Sequence, residues 1–212
     1  MNTAILVRHG ETDWNKQHLF RGRTDIPLNE NGRRQARLTA ALLRDLPVEA
    51  IYCSPLSRAA ETAREIAAVF NREPEICLEF TDLSFGEWEG MPENEVKLRY
   101  PREYQCWRET PHLGSAPGGE SPAAVQERAW DKLQSLTGNG GAEIIVVVTH
   151  RIVLKLLLLA ALGLPQSKLW TLQQDPCAVN ILKYNSRRWI LCKFNESCHL
   201  GSLAAGILRA DF

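Results

Sequence analysis

The 212-residue chain sets 25 Lys and Arg against 25 Asp and Glu, and 44% of its residues are hydrophobic. Zero net charge gives no long-range pull toward nucleic acid or an anionic membrane surface, so any affinity for an anion has to be local. The length and composition suit one domain with a sizeable core and exclude a disordered or fibrous chain.

In chain order, residues 3–7 are an apolar strand that stops at Arg8-His9-Gly10. The strand begins without the basic-then-apolar layout of a secretion signal, so a cytoplasmic protein is expected. After a long polar loop, Asn31-Gly32 opens a helix to about Leu46, with Ala36, Ala40 and Leu43 on one face. Residues 50–53 form a second strand ending at Ser54-Pro55, where proline suits a helix start. The helix after it carries Arg58, Ala59, Thr62, Ala63 and Ile66. A third strand near residues 75–78 leads into the loop 80–90, too rich in turn residues and aromatics for a plain connector. Residues 92–100 and 102–108 read as short helices, a helical insertion over the site at about 91–120. The turn Pro117-Gly118-Gly119-Glu120 then presents Ser121 as the cap of a helix over 122–136. A strand at 144–149, a helix over 152–162 and a terminal hairpin of 179–184 with 188–194 complete the pattern. Strands alternating with helices specify a three-layer α/β/α sandwich around a mainly parallel, doubly wound sheet, as a single domain over 1–212.

The longest apolar run, residues 152–164, is too short to span a bilayer and is interrupted by Lys155 and Gly163, so it reads as a buried helix. The six cysteines show no CxxC pairing and no clustering with histidine. They read as reduced core residues, with neither a zinc site nor a disulfide framework.

Two histidines, His9 and His150, stand where two strands stop, which is where an open α/β sheet places its ligand crevice. If those strands are neighbours, the imidazoles share a pocket. His9 can then attack phosphorus through one ring nitrogen while a backbone carbonyl fixes the other. Arg8 and Arg58 offer forked donors to phosphate oxygens, although Arg58 could equally pair on the surface with Glu61 or Glu65. His150, if a bound phosphate protonates it, adds a further positive charge, and Asn15 can donate from the long loop. Phosphoryl transfer from an alcohol also needs a carboxyl group to protonate the leaving oxygen and then activate water. Asp82, Glu87 and Glu89 all sit in the aromatic loop, and composition alone does not choose among them.

These residues carry a resemblance. The run from Leu6 to Thr12 with Asn15, then Arg21-Gly22, Asp25, Leu28 and Gly32, resembles the opening of the histidine phosphatase superfamily, phosphoglycerate mutase-like branch. The Ser54-Pro55-Leu56-Ser57-Arg58-Ala59 run, Gly86-Glu87-Trp88-Glu89-Gly90, Gly118-Gly119-Glu120-Ser121 and Val148-Thr149-His150 follow in the family's order. The resemblance implies that His9 is the phosphorylated nucleophile and that Arg8, Arg58 and His150 form the phosphate pocket. Asn15 and the backbone near Gly22, with Arg21 beside it, supply further substrate contacts. It implies no metal, and no cofactor is assigned. The family's usual proton donor is a glutamate where this chain has Asp82, so Asp82 takes that role, with Glu87 as the alternative. Arg151 stands where the family commonly has glycine after the second histidine and is expected to reshape the pocket wall.

The mutases of the family resemble longer chains with an extra segment before the second histidine, so hydrolysis is favoured over mutase activity. Phe85 and the Gly-Glu-Trp-Glu segment look like α-ribazole phosphatases, whereas the tail around His199 looks like metal-independent phosphoserine phosphatases, which makes Phe85 and His199 candidate substrate-binding residues. With Phe85, Trp88 and Trp107 expected near the pocket mouth, an apolar or aromatic substrate is as well supported as a small polar one. Asp82 in place of the glutamate and Arg151 in place of the glycine would also permit a module that binds a phosphorylated ligand without turnover. The expected partner is a small phosphorylated substrate, with no nucleic acid and no membrane, and a homodimer is compatible with the sequence.

Overall fold

The strand that opens the chain, β1 (Asn2–Arg8), is apolar from Ala4 to Val7, and a strand without a polar face has to be covered on both sides. A computed structural model, which describes residues 2–17, 19–137 and 142–204, sets β1 inside a six-stranded sheet. It pairs in parallel with β4 (Ile144–Thr149), the other uniformly apolar strand, in a register that puts Arg8 opposite Thr149. Beyond β4 come β2 (Ala50–Cys53) and β3 (Glu75–Ile76), both parallel. On the other side of β1 lie β5 (Val179–Tyr184) and β6 (Trp189–Glu196), giving the order β3-β2-β4-β1-β5-β6. The terminal hairpin makes β5 the one reversed strand, antiparallel to both β1 and β6.

Alternation along the strands sorts the core into two layers. Ile5, Val7, Val146 and Val148 pack against α2 (Glu30–Leu43) and α3 (Ser57–Ala68). Ala4, Leu6, Ile145 and Val147 pack against α6 (Pro122–Thr137) and α7 (Arg151–Leu162). Ile152 to Leu159 of α7 are all buried because α6, β6 and the 3-10 segment Gln166–Thr171 close around the helix. Each fully buried leucine there contributes about 1.5–3 kcal/mol. The helix stops at Gly163, whose φ of 65° is the left-handed conformation that glycine adopts without strain.

Local signals account for the other boundaries. Asn29 caps α2 by accepting from the Gly32 amide at 2.9 Å, and Ser121 accepts from the Ala124 amide at 3.2 Å as its place before α6 suggests. The third strand is shorter than its sequence implies and turns into a 3-10 segment, Leu78–Phe80. The long polar loop contains a short helix, α1 (Asp13–Gln17), that apolar periodicity does not reveal. Segment 91–120 carries α4 (Glu93–Arg99) and α5 (Pro101–Glu109), and drives Val96, Trp107 and Ala116 into the α6–α7 side of the core. The 3-10 segment Cys198–Leu203 lies against α2, with Leu200 buried beside Ala36 and Cys177. Among the described residues no helix is long and apolar enough to cross a membrane.

Candidate active site

Parallel pairing of β1 with β4 brings the two strand-end histidines together. The His9 amide donates to the Thr149 carbonyl at 3.0 Å, and the imidazole centroids lie 5.2 Å apart. Both rings are buried. His9 Nδ1 sits 2.7 Å from the Gly10 carbonyl, an acceptor only, so the proton belongs on Nδ1 and the lone pair on Nε2. His150 Nε2 meets Ser54 Oγ at 2.7 Å, while its Nδ1 is buried without a hydrogen-bond partner, 3.5 Å from Asp82 Oδ2.

Burial first, and Arg58 next, push both imidazole pKa values well below that of free histidine. Both shifts favour the neutral form of the rings. Protonation of His150 requires an anion to offset these effects.

The turn after His9 is held from two sides. The Gly10 amide donates to Thr62 Oγ1 at 3.1 Å, and that hydroxyl donates to the Arg58 carbonyl at 2.8 Å. A Cβ on Gly10 would stand 2.6 Å from the Gly32 carbonyl oxygen, so this turn and the start of α2 meet backbone to backbone. Asn15 Oδ1 accepts from the Thr12 amide at 2.9 Å and from the Thr12 hydroxyl at 2.8 Å, which leaves its NH2 as the donor end.

Arg8 is buried next to His9 and donates through Nη1 to the Gln174 carbonyl. Arg58, from the first turn of α3, is also fully buried and makes no surface pair; Glu61 bonds Arg33 instead, at 3.5 Å. Its Nη1 donates to the Thr24 carbonyl at 2.9 Å, and its Nη2 to the Gly22 carbonyl at 2.8 Å and Asp82 Oδ2 at 3.1 Å. Its Nε is buried without a partner, like His150 Nδ1. Two buried nitrogens without hydrogen-bond partners in one pocket are groups to which an oxyanion can bond.

Partners distant in sequence separate the three loop carboxylates. Asp82 stands between Arg58 and His150, with Oδ1 accepting from the Leu83 amide at 3.0 Å. Glu87 is exposed and accepts from the Tyr100 hydroxyl at 2.8 Å. Glu89 staples two loops, its Oε1 taking the amides of Arg23 at 3.1 Å and Phe85 at 3.0 Å. It also fills the space a side chain at Gly22 would need, where φ is 51°. Only Asp82 faces a histidine.

Arg21 and Arg151 add charge around this centre. Burial, then Arg8, Arg151 and Arg58, press the Arg21 pKa down, and Asp82 opposes them. Arg151 opens α7, its guanidinium 6.0 Å from the Trp170 ring, and no side chain caps that helix N-terminus.

Two expectations need correcting. Trp88 and Trp107 do not form an aromatic mouth. Both are buried in a core cluster with Phe20 and Phe85, and Phe85 meets Phe20 at 5.0 Å and Trp107 at 5.2 Å between ring centroids. Phe85 itself is only 6% exposed. His199 does not reach the histidine pair either. Its Nε2 lies 2.9 Å from Thr39 Oγ1 on α2, because the segment bearing it packs against that helix.

The family model of the histidine phosphatase superfamily (branch 1) matches residues 4–197. The chain belongs to the histidine phosphatase superfamily. It is 36% identical to phosphoserine phosphatase 1 of Hydrogenobacter thermophilus over 95% of each chain. It is 28% identical to the adenosylcobalamin/alpha-ribazole phosphatase of Escherichia coli, over 97% of this chain and 98% of that one. The solved structure of Bacillus stearothermophilus YhfR superimposes with a TM-score of 0.89 at 29% identity, covering 94% of this chain and all of that one. The protein is thus a phosphatase of the phosphoglycerate mutase-like fold.

Residue-type reasoning overlooked Ser54 and Thr62, whose hydroxyls meet the second histidine and the turn after the first. Thr62 lies one helical turn beyond Arg58, a spacing that puts both on one face of α3 and could have marked it.

Proposed function

We propose that this histidine phosphatase is a metal-independent phosphomonoesterase that passes the phosphoryl group of a small phosphorylated molecule through His9. The observation that carries the reading is the His9 ring, its Nδ1 held by the Gly10 carbonyl and its Nε2 left for attack, set beside His150 in a pocket of buried guanidinium groups. Nε2 attacks phosphorus, the bond to the substrate oxygen breaks, and the Asp82 carboxyl gives its proton to the leaving alkoxide. The Asp82 carboxylate then takes a proton from water, whose oxygen displaces Nε2 and releases inorganic phosphate. Arg8, Arg58 and the protonated form of His150 neutralise charge on the transferring oxygens, with Asn15 and the α7 N-terminus as further donors. We place segment 91–120 over the substrate side of the site, where its Val96, Trp107 and Ala116 anchor it to the core.

For the substrate, the relatives' names offer phosphoserine and α-ribazole phosphate. Burial of Trp88 and Trp107 removes the argument for an aromatic leaving group. Arg21 and Arg151, next to Gly22 and His150, favour a phosphomonoester that carries a second anionic group such as a carboxylate. A panel of phosphoserine, 3-phosphoglycerate and α-ribazole 5′-phosphate, ranked by kcat/KM, tests this; a ranking led by α-ribazole 5′-phosphate contradicts it. For the reaction itself, p-nitrophenyl phosphate is offered in EDTA. Turnover by the wild type and none by His9→Ala is expected. Retained activity in His9→Ala, or activity that needs an added divalent cation, overturns the reading.

A further inference from the structure

Asp82 has a short side chain that meets Arg58 at 3.1 Å and His150 at 3.5 Å, so the placement of its backbone decides what its carboxyl can reach. Two arginines grip that stretch of backbone, and a glutamate ties them together. Arg128, on α6, donates from Nη1 to the Glu79 carbonyl and from Nη2 to the Asp82 carbonyl at 3.4 Å, bracketing residues 79–82. Its guanidinium is locked by Glu120 in a two-point fork, Nε to Oε1 and Nη2 to Oε2, both at 2.9 Å. Arg23 completes the clamp, its Nη2 on Glu120 Oε2 at 3.1 Å and its Nε on the Asp82 carbonyl at 3.4 Å.

The clamp is anchored independently of the pocket. The Glu120 amide donates to the Ser84 carbonyl at 2.9 Å, and Gly86 and Gly119 bring the two loops too close for a Cβ on either. The Glu120 and Arg128 side chains are only 18% and 20% exposed, so solvent screens the pair less than it would a surface bridge. Burial alone would raise the Glu120 pKa, but Arg128 and Arg23 outweigh it and keep the carboxylate charged.

We infer that Arg128, oriented by Glu120, is a positioning residue for the Asp82 carboxyl: it holds residues 79–82 where that acid can reach the leaving oxygen. This rests on the reading of Asp82 as proton donor. A misplaced donor costs most where the leaving oxygen is a poor leaving group, because a stabilised phenolate departs without a proton.

The test compares glycerol phosphate with p-nitrophenyl phosphate in Arg128→Ala, Arg128→Lys, Glu120→Gln and Asp82→Asn. In Arg128→Ala, kcat/KM, which covers the steps up to loss of the leaving group, is expected to fall about 10- to 100-fold more for glycerol phosphate than for p-nitrophenyl phosphate, with inhibition by inorganic phosphate little changed. Glu120→Gln, which leaves both arginines in place, should show the same bias to a smaller degree, and Arg128→Lys should keep the bias because lysine has no fork. Equal losses for both esters, or none, overturn the positioning role. If Arg128→Ala does not fold, Glu120→Gln carries the same comparison. Asp82→Asn separates the two readings: without the bias there, the acid assignment fails; with it there and absent from the Arg128 and Glu120 variants, the clamp alone fails.

Discussion

His9 and His150 are buried as neutral rings, and that costs the protein stability in acid. Burial and Arg58 hold both pKa values well below 6.5, the value each regains on unfolding. Above that value neither state binds the proton and the effect is absent; below it only the unfolded chain does, so stability falls as pH falls. From about pH 7.5 to about pH 5.5, each fully neutral buried histidine withdraws about 1.4 kcal/mol, or about 2.8 kcal/mol for the pair. His199, also shifted down by burial, adds a smaller amount because it is partly exposed. Urea unfolding in buffers free of phosphate, at three pH values across that window, measures the slope. In His9→Gln the loss between the end points should shrink by about 1.4 kcal/mol, whatever the variant does to stability at neutral pH. An unchanged slope in His9→Gln, or a wild type as stable at the acid end as at neutral pH, would refute the neutral buried pair.

Three further outcomes follow from single contacts. Gly32→Ala forces a Cβ onto the Glu11 carbonyl and should lower stability by about 1–3 kcal/mol while reducing activity through the displaced His9 turn, read by thermal unfolding and kcat. Glu87→Gln should leave kcat/KM for glycerol phosphate at the wild-type level, since Glu87 is exposed and bonded to Tyr100; a loss as large as that of Asp82→Asn would return the acid role to Glu87. His199→Ala should cost about 1 kcal/mol of stability through its lost bond to Thr39 and leave the preference among phosphorylated substrates unchanged, and a changed preference would place it in substrate binding.

What was legible in the sequence is what local chemistry determines. Apolar strands ending in histidine predicted the crevice, and the parallel β1–β4 register fulfils the condition that they be neighbours. The arginine after Ser54-Pro55 became a pocket residue because α3 starts there and its carbonyl partners arrive from the Gly22 loop. The same sequence could not rank Asp82, Glu87 and Glu89, whose fates depend on Arg58, Tyr100 and Arg23, all contributed by other parts of the fold. Trp88 and Trp107 read as a mouth because aromatics suit both a binding surface and a core, and only packing against Phe20 and Phe85 decides. His199 failed for a similar reason: a polar tail residue says nothing about which helix its segment will lie on. Nothing in the sequence pairs Arg128 with Glu120, eight positions earlier; their fork beside the Asp82 loop exists only in the fold.

The most direct measurement is the capture of phosphate on the nucleophile. Asp82→Asn mixed with 32P-labelled p-nitrophenyl phosphate and quenched in base should carry acid-labile, base-stable label on a single peptide containing residue 9, and His9→Ala should carry none. Label that survives acid, label on a peptide without His9, or wild-type turnover in His9→Ala would contradict covalent transfer through that imidazole.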